Sequence, residues 1–422
     1  MGVFRIQALA GVFLLLVAAC TTSVEERVVI LTVLATPTPT PFPLPAHFGI
    51  RMANDSSIQN GACRISRNSS LLCWGKSVIT GDGTGNTVPS FAPVVVPGFS
   101  SGVTDLSVGP SHACAIRNGD LFCWGENSTG EAGVGNLLPV TTPAPIAPPS
   151  GQVYTRVRTG ARSQTCAITD AGGLYCWGNN DIGALNLGVG SVAAAVSAPT
   201  AVTDMGSDVT DVNVGAGAIC AVKSGAVYCW GSNVLGELGT DTLGLPAATP
   251  MPVAGLDAGV TQVSAGDRSI SGIGGGSICA IKSGALHCLG ENDSYQLGDG
   301  TDQFVPSASP HPVLTSGVTS LALSGAGGCV AQSGQVSCWG KYVESATGVV
   351  NLTGAVGPVA TPAPLVGLPT GNWLSVVGNG GAFCARSEEK QEYCWGLNFD
   401  SALFTGSGTG HAPEPVEAGP FD

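Results

Sequence analysis

Apolar and polar positions alternate in short runs along most of this chain, and the alternation has the period of β-strands. In Leu174-Tyr175-Cys176-Trp177 a period of two puts Leu174 and Cys176 on one face, Tyr175 and Trp177 on the other. Val103-Thr104-Asp105-Leu106-Ser107-Val108 reads as a strand of the same kind, and Val209-Thr210-Asp211-Val212-Asn213-Val214 repeats it further along. Pro/Val segments such as Ala92-Pro93-Val94-Val95-Val96 and Met251-Pro252-Val253 follow Gly-rich loops and supply another strand per unit. After residue 20 no stretch carries a convincing amphipathic helical period. The pattern therefore predicts an all-β protein of many short strands.

The strands recur in register with the cysteines. Cys63/Cys73, Cys114/Cys123, Cys166/Cys176, Cys220/Cys229, Cys279/Cys288, Cys329/Cys338 and Cys384/Cys394 make seven pairs, which leaves only Cys20 of the 15 cysteines. Within a pair the separation is nine or ten residues. Six of the second cysteines precede Trp-Gly, at Trp74, Trp124, Trp177, Trp230, Trp339 and Trp395, and the fifth unit has Leu289 instead. Up to four strands per unit, repeated over 47–422, predict a seven-bladed β-propeller with units at about 47–100, 101–150, 151–206, 207–257, 258–315, 316–370 and 371–422. A blade cannot bury both faces alone, so blades stack radially and the tryptophans are expected to fill the gaps between them. Leu289 keeps the apolar character but loses volume, so looser packing is expected at the fifth blade. Two cysteines facing across an antiparallel pair lie within disulfide reach, and the spacing is not that of a structural zinc site. One disulfide per hairpin is expected.

The segment before the repeats has a different character. Residues 8–19 form an apolar run after Arg5, of signal-peptide length and too short to span a membrane comfortably. It ends Leu16-Val17-Ala18-Ala19-Cys20, which resembles the lipobox of bacterial lipoproteins. That resemblance implies cleavage after residue 19, a lipid on Cys20 and stable membrane anchoring in the cell envelope, outside the cytoplasm. Residues 20–46 include Thr36-Pro37-Thr38-Pro39-Thr40-Pro41-Phe42-Pro43, an extended tether. Residues 28–34 are apolar and β-branched, and the sequence assigns them no role.

Charge narrows the partners. Lys+Arg 16 against Asp+Glu 29 gives a net charge of −13, which argues against nucleic acid or an anionic membrane surface as a partner. Gly 62 and Pro 28 with only 11% charged residues suit tight turns between apolar strands. No cofactor or metal signature is present, since His47, His112, His287, His311 and His411 show no pair at metal-ligand spacing. Nor is there a Gly-x-Ser-x-Gly elbow or an HExxH. Loop carboxylates Asp82, Asp181, Glu237, Asp299 and Asp302 keep one enzymatic alternative open, a hydrolase or lyase acting on polysaccharide or cell wall.

The repeats resemble those of the regulator of chromosome condensation (RCC1) family. Gly109-Pro110-Ser111-His112-Ala113-Cys114-Ala115-Ile116 carries the first part of that family's pattern. Trp230-Gly231-Ser232-Asn233-Val234-Leu235-Gly236-Glu237-Leu238-Gly239 carries the second. Gln296-Leu297-Gly298-Asp299-Gly300-Thr301 matches its loop, with Tyr295 in place of a glycine. The asparagine of the pattern recurs as Asn127, Asn180, Asn233, Asn292 and Asn398. The resemblance implies a seven-bladed ring, and, for an exported form, a monomeric scaffold that binds an unknown protein or cell-envelope ligand through loops on one face, without catalysis. Two units depart from the pattern. Residues 268–277 lengthen the fifth as a glycine-rich protrusion, and residues 387–392 give the seventh a charged hairpin tip. The chain starts on a first strand and ends on a fourth, so the last strand is expected to join or flank the first unit and clasp the ring.

Overall fold

A computed structural model describes residues 50–52, 61–75, 80–83, 90–181, 194–240, 244–266, 269–270, 273–274, 276–303, 307–324, 327–341, 344–345, 348–349, 357–379, 382–397 and 411–417. The described residues form seven four-stranded antiparallel sheets and two small two-stranded ribbons. Each sheet is a blade made of strands consecutive in the chain, apart from the small ribbons that interrupt blades 5 and 6. Blade 2 is typical, with strands Val103–Val108, His112–Arg117, Asp120–Gly125 and Val140–Ile146 in that spatial order.

The first strand of every blade lies innermost. Ile50–Met52, Val103–Val108, Tyr154–Thr159, Val209–Val214, Val260–Ala265, Val318–Ser324 and Trp373–Asn379 touch one another in succession, and the seventh touches the first, so the ring is closed. Polar side chains on these strands reach the backbone of the next blade. Val157 N donates to Asp105 Oδ2 at 2.8 Å, Val263 N to Asp211 Oδ2 at 3.0 Å, Leu321 N to Gln262 Oε1 at 3.1 Å and Val376 N to Ser320 Oγ at 3.1 Å. Blade 3 adds charge in both directions, with Arg158 Nη1 at 3.0 Å from Asp105 Oδ2 and Arg156 paired with Asp211. The fourth strands are outermost and largely exposed, as in Val140–Ile146.

Local sequence explains the strand ends. A β-bulge interrupts the register of Val103/Asp105, Val209/Asp211, Val260/Gln262 and Val318/Ser320, and the extra residue is each time a threonine. Thr104, Thr210, Thr261 and Thr319 turn their hydroxyls onto carbonyls of the second strand at 3.3–3.5 Å. Second and third strands are joined by two-residue turns with both φ positive, at Asn118-Gly119, Ser224-Gly225, Ser283-Gly284 and Ser333-Gly334. Turns of that kind match strand twist and set the register that aligns the cysteines.

Alternation sends the two faces of each blade to different neighbours. Cys63 and Cys73 pack with Trp124, Cys114 and Cys123 with Trp177, and Cys166 and Cys176 with Trp230. Further round the ring, Cys220 and Cys229 pack with Leu289, Cys279 and Cys288 with Trp339, and Cys329 and Cys338 with Trp395. The cystine face thus meets the following blade and the tryptophan face the preceding one. In blade 7, Phe383, Ala385 and Trp395 pack back against blade 6, so Cys384 and Cys394 stand on the opposite face, toward blade 1. Both are buried, with Cys384 at 1% and Cys394 at 0% exposure.

The expected cystines are all formed. The cysteines lie opposite each other in register, as in Cys166↔Cys176 and Cys384↔Cys394, and are bonded in seven pairs with Cα–Cα separations of 4.0–4.2 Å. The Cys384–Cys394 bridge has the shortest of these separations, 4.0 Å, and spans ten residues. The charged tip of residues 387–392 therefore leaves the register at Cys394 unchanged. Ser387 N donates to Gln391 O at 3.0 Å and Lys390 N to Ser387 O at 3.1 Å, which closes the longer turn before Cys394.

Closure differs from the expected clasp. The last strand, His411–Glu417, pairs with Glu392–Leu397 of its own blade, with Tyr393↔Glu417, Cys394↔Val416 and Gly396↔Ala412, and is the outermost strand of blade 7. The first blade has its own four strands, Ile50–Met52, Gly61–Ile65, Leu71–Gly75 and Ser90–Val95. Repeat and blade are in phase, so no strand is left over to exchange. The fifth-blade insertion contains a small ribbon, Ser269–Ile270 paired with Ile273–Gly274. A second ribbon, Glu344–Ser345 with Gly348–Val349, interrupts blade 6.

Candidate functional site

In this topology the connections between first and second strands, and between third and fourth, emerge on one face of the ring. That loop face is where the repeats differ. The connections between third and fourth strands are stiffened by the recurring asparagine. Asn127 Oδ1 accepts from Ala132 N at 2.9 Å, while its Nδ2 donates to Asn136 O and Leu138 O at 2.8 and 3.0 Å. Asn233 Oδ1 accepts from Leu238 N at 3.1 Å and Asn292 Oδ1 from Leu297 N at 3.0 Å. These amides are buried and act on their own loops. Asn180 is buried in the corresponding place of blade 3, and Asn398 lies outside the described residues.

The same loops hold the next blade. Trp177 Nε1 donates to Glu131 O at 3.0 Å and Trp339 Nε1 to Gln296 O at 2.7 Å. Trp74, Trp124, Trp230 and Trp395 are equally buried. For Trp230 and Trp395, most of the matching loop of the preceding blade lies outside the described residues. Leu289 is buried too, but it has no donor for the Glu237 carbonyl.

Junctions 2–3 and 4–5 can be compared position by position. Between blades 2 and 3, His112 Nε2 donates to Thr165 Oγ1 at 2.8 Å, and Thr165 Oγ1 donates to Glu131 O at 2.9 Å. Burial lowers the His112 pKa to about 4, against the opposing pull of Glu131, so the imidazole is neutral at pH 7. Between blades 4 and 5 the corresponding residues are Ala218, Ile278 and Leu289, and the chain of donors is gone. A cavity of about 10 Å³ lies there, lined by Gly215, Ala218, Gly266, Ser277, Ile278 and Glu237 among others. It is large enough for one water molecule. Burial pushes the Glu237 carboxyl above its ordinary pKa, and Glu237 Oε2 accepts from Leu235 N at 2.7 Å.

The loop carboxylates hold their own surroundings. Asp181 pairs with Arg162 Nη2 at 2.9 Å. Asp299 Oδ1 accepts from Thr301 N at 2.9 Å and from Asn292 Nδ2 at 3.1 Å, and Asp302 Oδ2 accepts from Tyr295 Oη at 3.2 Å. Asp82 sits half-buried in blade 1, where the adjacent Gly83 N donates to Thr141 O of blade 2 at 3.1 Å. The five are distributed over blades 1, 3, 4 and 5. His287 is half-buried across the strand pair from Ala280, and burial lowers its pKa. Among the described residues no cluster of three or more His, Cys, Asp or Glu could hold a metal. No described helix is long and apolar enough to cross a membrane. Cys20, the tether and residues 28–34 lie outside the described residues.

What the loop face does present is aliphatic. Leu137 and Leu138 of blade 2 are 48% and 71% exposed, and Val234 and Leu245 of blade 4 are 40% and 65% exposed. Sequence reading passed over them because they stand in Gly/Pro-rich loops outside any alternating run. That position was itself the available signal, since no strand face buries a residue placed there.

These features define a disulfide-paired, seven-bladed repeat propeller with its variable loops gathered on one face. The repeat described as "Regulator of chromosome condensation (RCC1) repeat" matches residues 224–270 and, in a second form, 103–131. The chain is similar to the human E3 ubiquitin-protein ligase HERC2, with 28% identity over 256 residues, 57% of this chain and 5% of HERC2. It is 29% identical over 200 residues to the Arabidopsis thaliana mitochondrial RCC1 domain-containing protein RUG3, 45% of this chain and 43% of that protein. It therefore spans less than half the length of either relative. Among solved structures, human WBSCR16 superposes with a TM-score of 0.69 at 19% identity, covering 82% of this chain and 92% of that one. Yeast RCC1 (Prp20), crystallised with Kap60, gives 0.66 at 18%, covering 85% and 84%. The chain is an RCC1-like repeat β-propeller.

Proposed function

We propose that this protein is a membrane-tethered binding scaffold of the cell envelope, outside the cytoplasm, whose loop face engages another protein and performs no catalysis. An RCC1-like propeller fits a protein-binding role. The observation that carries the reading is the pairing of rigidity with exposed aliphatics. Leu137, Leu138, Val234 and Leu245 project from loops held by Asn127 and Asn233. Exposed aliphatics on a pre-ordered surface lose little entropy on binding, which favours protein recognition. The lipobox-like ending at Cys20 supports the anchor, and the Thr/Pro-rich tether supports display away from the membrane.

Crosslinking and affinity capture from envelope extracts test the scaffold. The native chain should recover a stoichiometric protein partner, and Leu138→Asp with Leu245→Asp should lose it while the melting temperature holds. Equal capture by both proteins would place binding elsewhere. Cys20→Ala should release the protein from membranes, and continued membrane retention would refute the lipid anchor.

A further inference from the structure

Junctions 2–3 and 4–5 both bury a carboxyl on the loop of the preceding blade, but they surround it differently. Glu131 follows Asn127 as Glu237 follows Asn233, and the two acids are 1% and 2% exposed. In junction 2–3 the carboxyl has the His112 imidazole for a neighbour. A Cβ built on Gly109 would meet that ring, with His112 Cε1 at 3.0 Å and Nδ1 at 3.1 Å. At the matching glycine of junction 4–5, Gly215, the nearest atom is Gly266 O at 2.9 Å. Ala218 stands there for His112, and the cavity of about 10 Å³ takes the place of the missing ring.

The walls of this cavity include polar atoms with bonds to spare. Glu237 Oε1 is buried and has no hydrogen-bond partner, while Oε2 accepts from Leu235 N at 2.7 Å. A buried acceptor without a donor destabilises the fold. Gly266 O accepts from Ala216 N only at 3.4 Å, and Ser277 Oγ stands 3.3 Å from where a Cβ on Gly266 would lie. Glu237, Gly266 and Ser277 border one space no larger than a water molecule, so a single guest reaches all three. Burial holds the Glu237 carboxyl above its ordinary pKa, against hydrogen bonds from its own N–H, Ser232, Leu235 and Val234. The guest therefore faces a group that exchanges a proton. Water suits both forms, since it donates to the carboxylate and accepts from the acid, whereas a cation suits only the charged one.

We propose that the cavity between blades 4 and 5 is a site for one internal water molecule, which stands where the imidazole stands between blades 2 and 3 and hydrogen-bonds Glu237 Oε1. Glu237 belongs to blade 4, and Gly266 and Ser277 belong to blade 5. The water thus restores across this junction the polar link that Ala218, Ile278 and Leu289 do not supply.

The experiment uses the full chain and its melting temperature. Ala218→Val puts methyl groups in the water's place and leaves the Glu237 oxygen without a donor, so the midpoint should fall by a few degrees. Ala218→Ser brings a hydroxyl into the same space and should melt with the native chain. Filling a dry cavity stabilises a protein, so a higher midpoint for Ala218→Val would overturn the site. Crowding is separated by repeating the change in a Glu237→Leu background, where the water has lost its partner. There Ala218→Val should cause no further fall, and an equal fall in both backgrounds would count against the water. A crystal structure of the native chain gives the direct reading. An ordered water is expected within about 3.2 Å of Glu237 Oε1, and a cavity without one would refute the proposal. Melting in potassium, ammonium and tetramethylammonium chloride at equal ionic strength should give one midpoint. A saturable rise with potassium or ammonium that Glu237→Leu abolishes would assign the site to a cation instead.

Discussion

At the scale of single residues, the loop face repeats one backbone conformation with different side chains. Gly130, Gly236 and Tyr295 occupy the same place after the recurring asparagine, with φ of 82°, 73° and 61°. A glycine adopts this region freely, whereas a residue with a Cβ gives up about 1–2 kcal/mol there. The surroundings decide how much more is lost. A Cβ on Gly130 would meet Ser197 Cα at 2.6 Å and Val196 O at 2.7 Å, both backbone atoms that cannot swing aside. Tyr295 is half-exposed, and its hydroxyl donates to Asp302 at 3.2 Å. Gly130→Ala should therefore destabilise the protein by about 2 kcal/mol or more. Tyr295→Gly should stay within about 1 kcal/mol of the native chain, because relief of the left-handed strain offsets the added freedom of the unfolded glycine. Guanidinium chloride midpoints measure both, and equal losses would show that the two loops are not equivalent.

At the scale of the blade, the junction is the unit of stability, and the one around His112 carries a pH dependence. The unfolded imidazole titrates near its ordinary value of 6.5, while the buried one titrates at about 4. Between those values the unfolded chain binds more protons, so stability is full above pH 6.5 and is lost as pH falls toward 4. The difference corresponds to about 3 kcal/mol across that window. Glu237 acts with the opposite sign, because its raised pKa gives stability that fades as pH rises. His112→Gln keeps a donor for Thr165 and removes the titration. Its melting temperature should change less than that of the native chain between pH 6.5 and 4, and parallel curves would mean that His112 does not set the slope. Such a junction was only partly legible in the sequence. Period-two alternation assigned Cys176 and Trp177 to opposite faces, because strand geometry fixes that whatever the fold. The indole bond from Trp177 to Glu131 O was not legible, since a backbone acceptor leaves no mark on residue type. Nothing in the residue types of Asp105, Asp211 and Gln262 marks a cross-blade partner, and only closure of the ring turns them toward a neighbour's N–H. The loop aliphatics escaped for the reason already given, and the clasp failed because alignment ranks strands within a unit without pairing them.

At the scale of the molecule, seven junctions close one ring, and its cohesion rests on many small cross-blade bonds and seven buried cross-links. Every bonded cysteine, from Cys63 to Cys394, is at most 1% exposed. A reductant therefore meets sulfur only after blades part, and reduction should report opening of the ring rather than surface chemistry. Each cross-link closes a loop of nine or ten residues, which by loop-closure entropy is worth about 2.5 kcal/mol. The loops are local and separate, so their contributions add to a first approximation. Together they exceed the roughly 5–15 kcal/mol by which a folded domain of ordinary stability outweighs its unfolded chain. Full reduction followed by alkylation should accordingly unfold the propeller at about 25 °C without denaturant, with loss of the near-ultraviolet circular dichroism of the buried tryptophans. Removing one pair should be survivable. Cys279→Ala with Cys288→Ala should cost about 2–3 kcal/mol and leave a cooperative melt at lower temperature. A reduced, alkylated protein that kept its native spectrum and midpoint would show that side-chain packing alone holds the ring, and that the cystines add nothing to it.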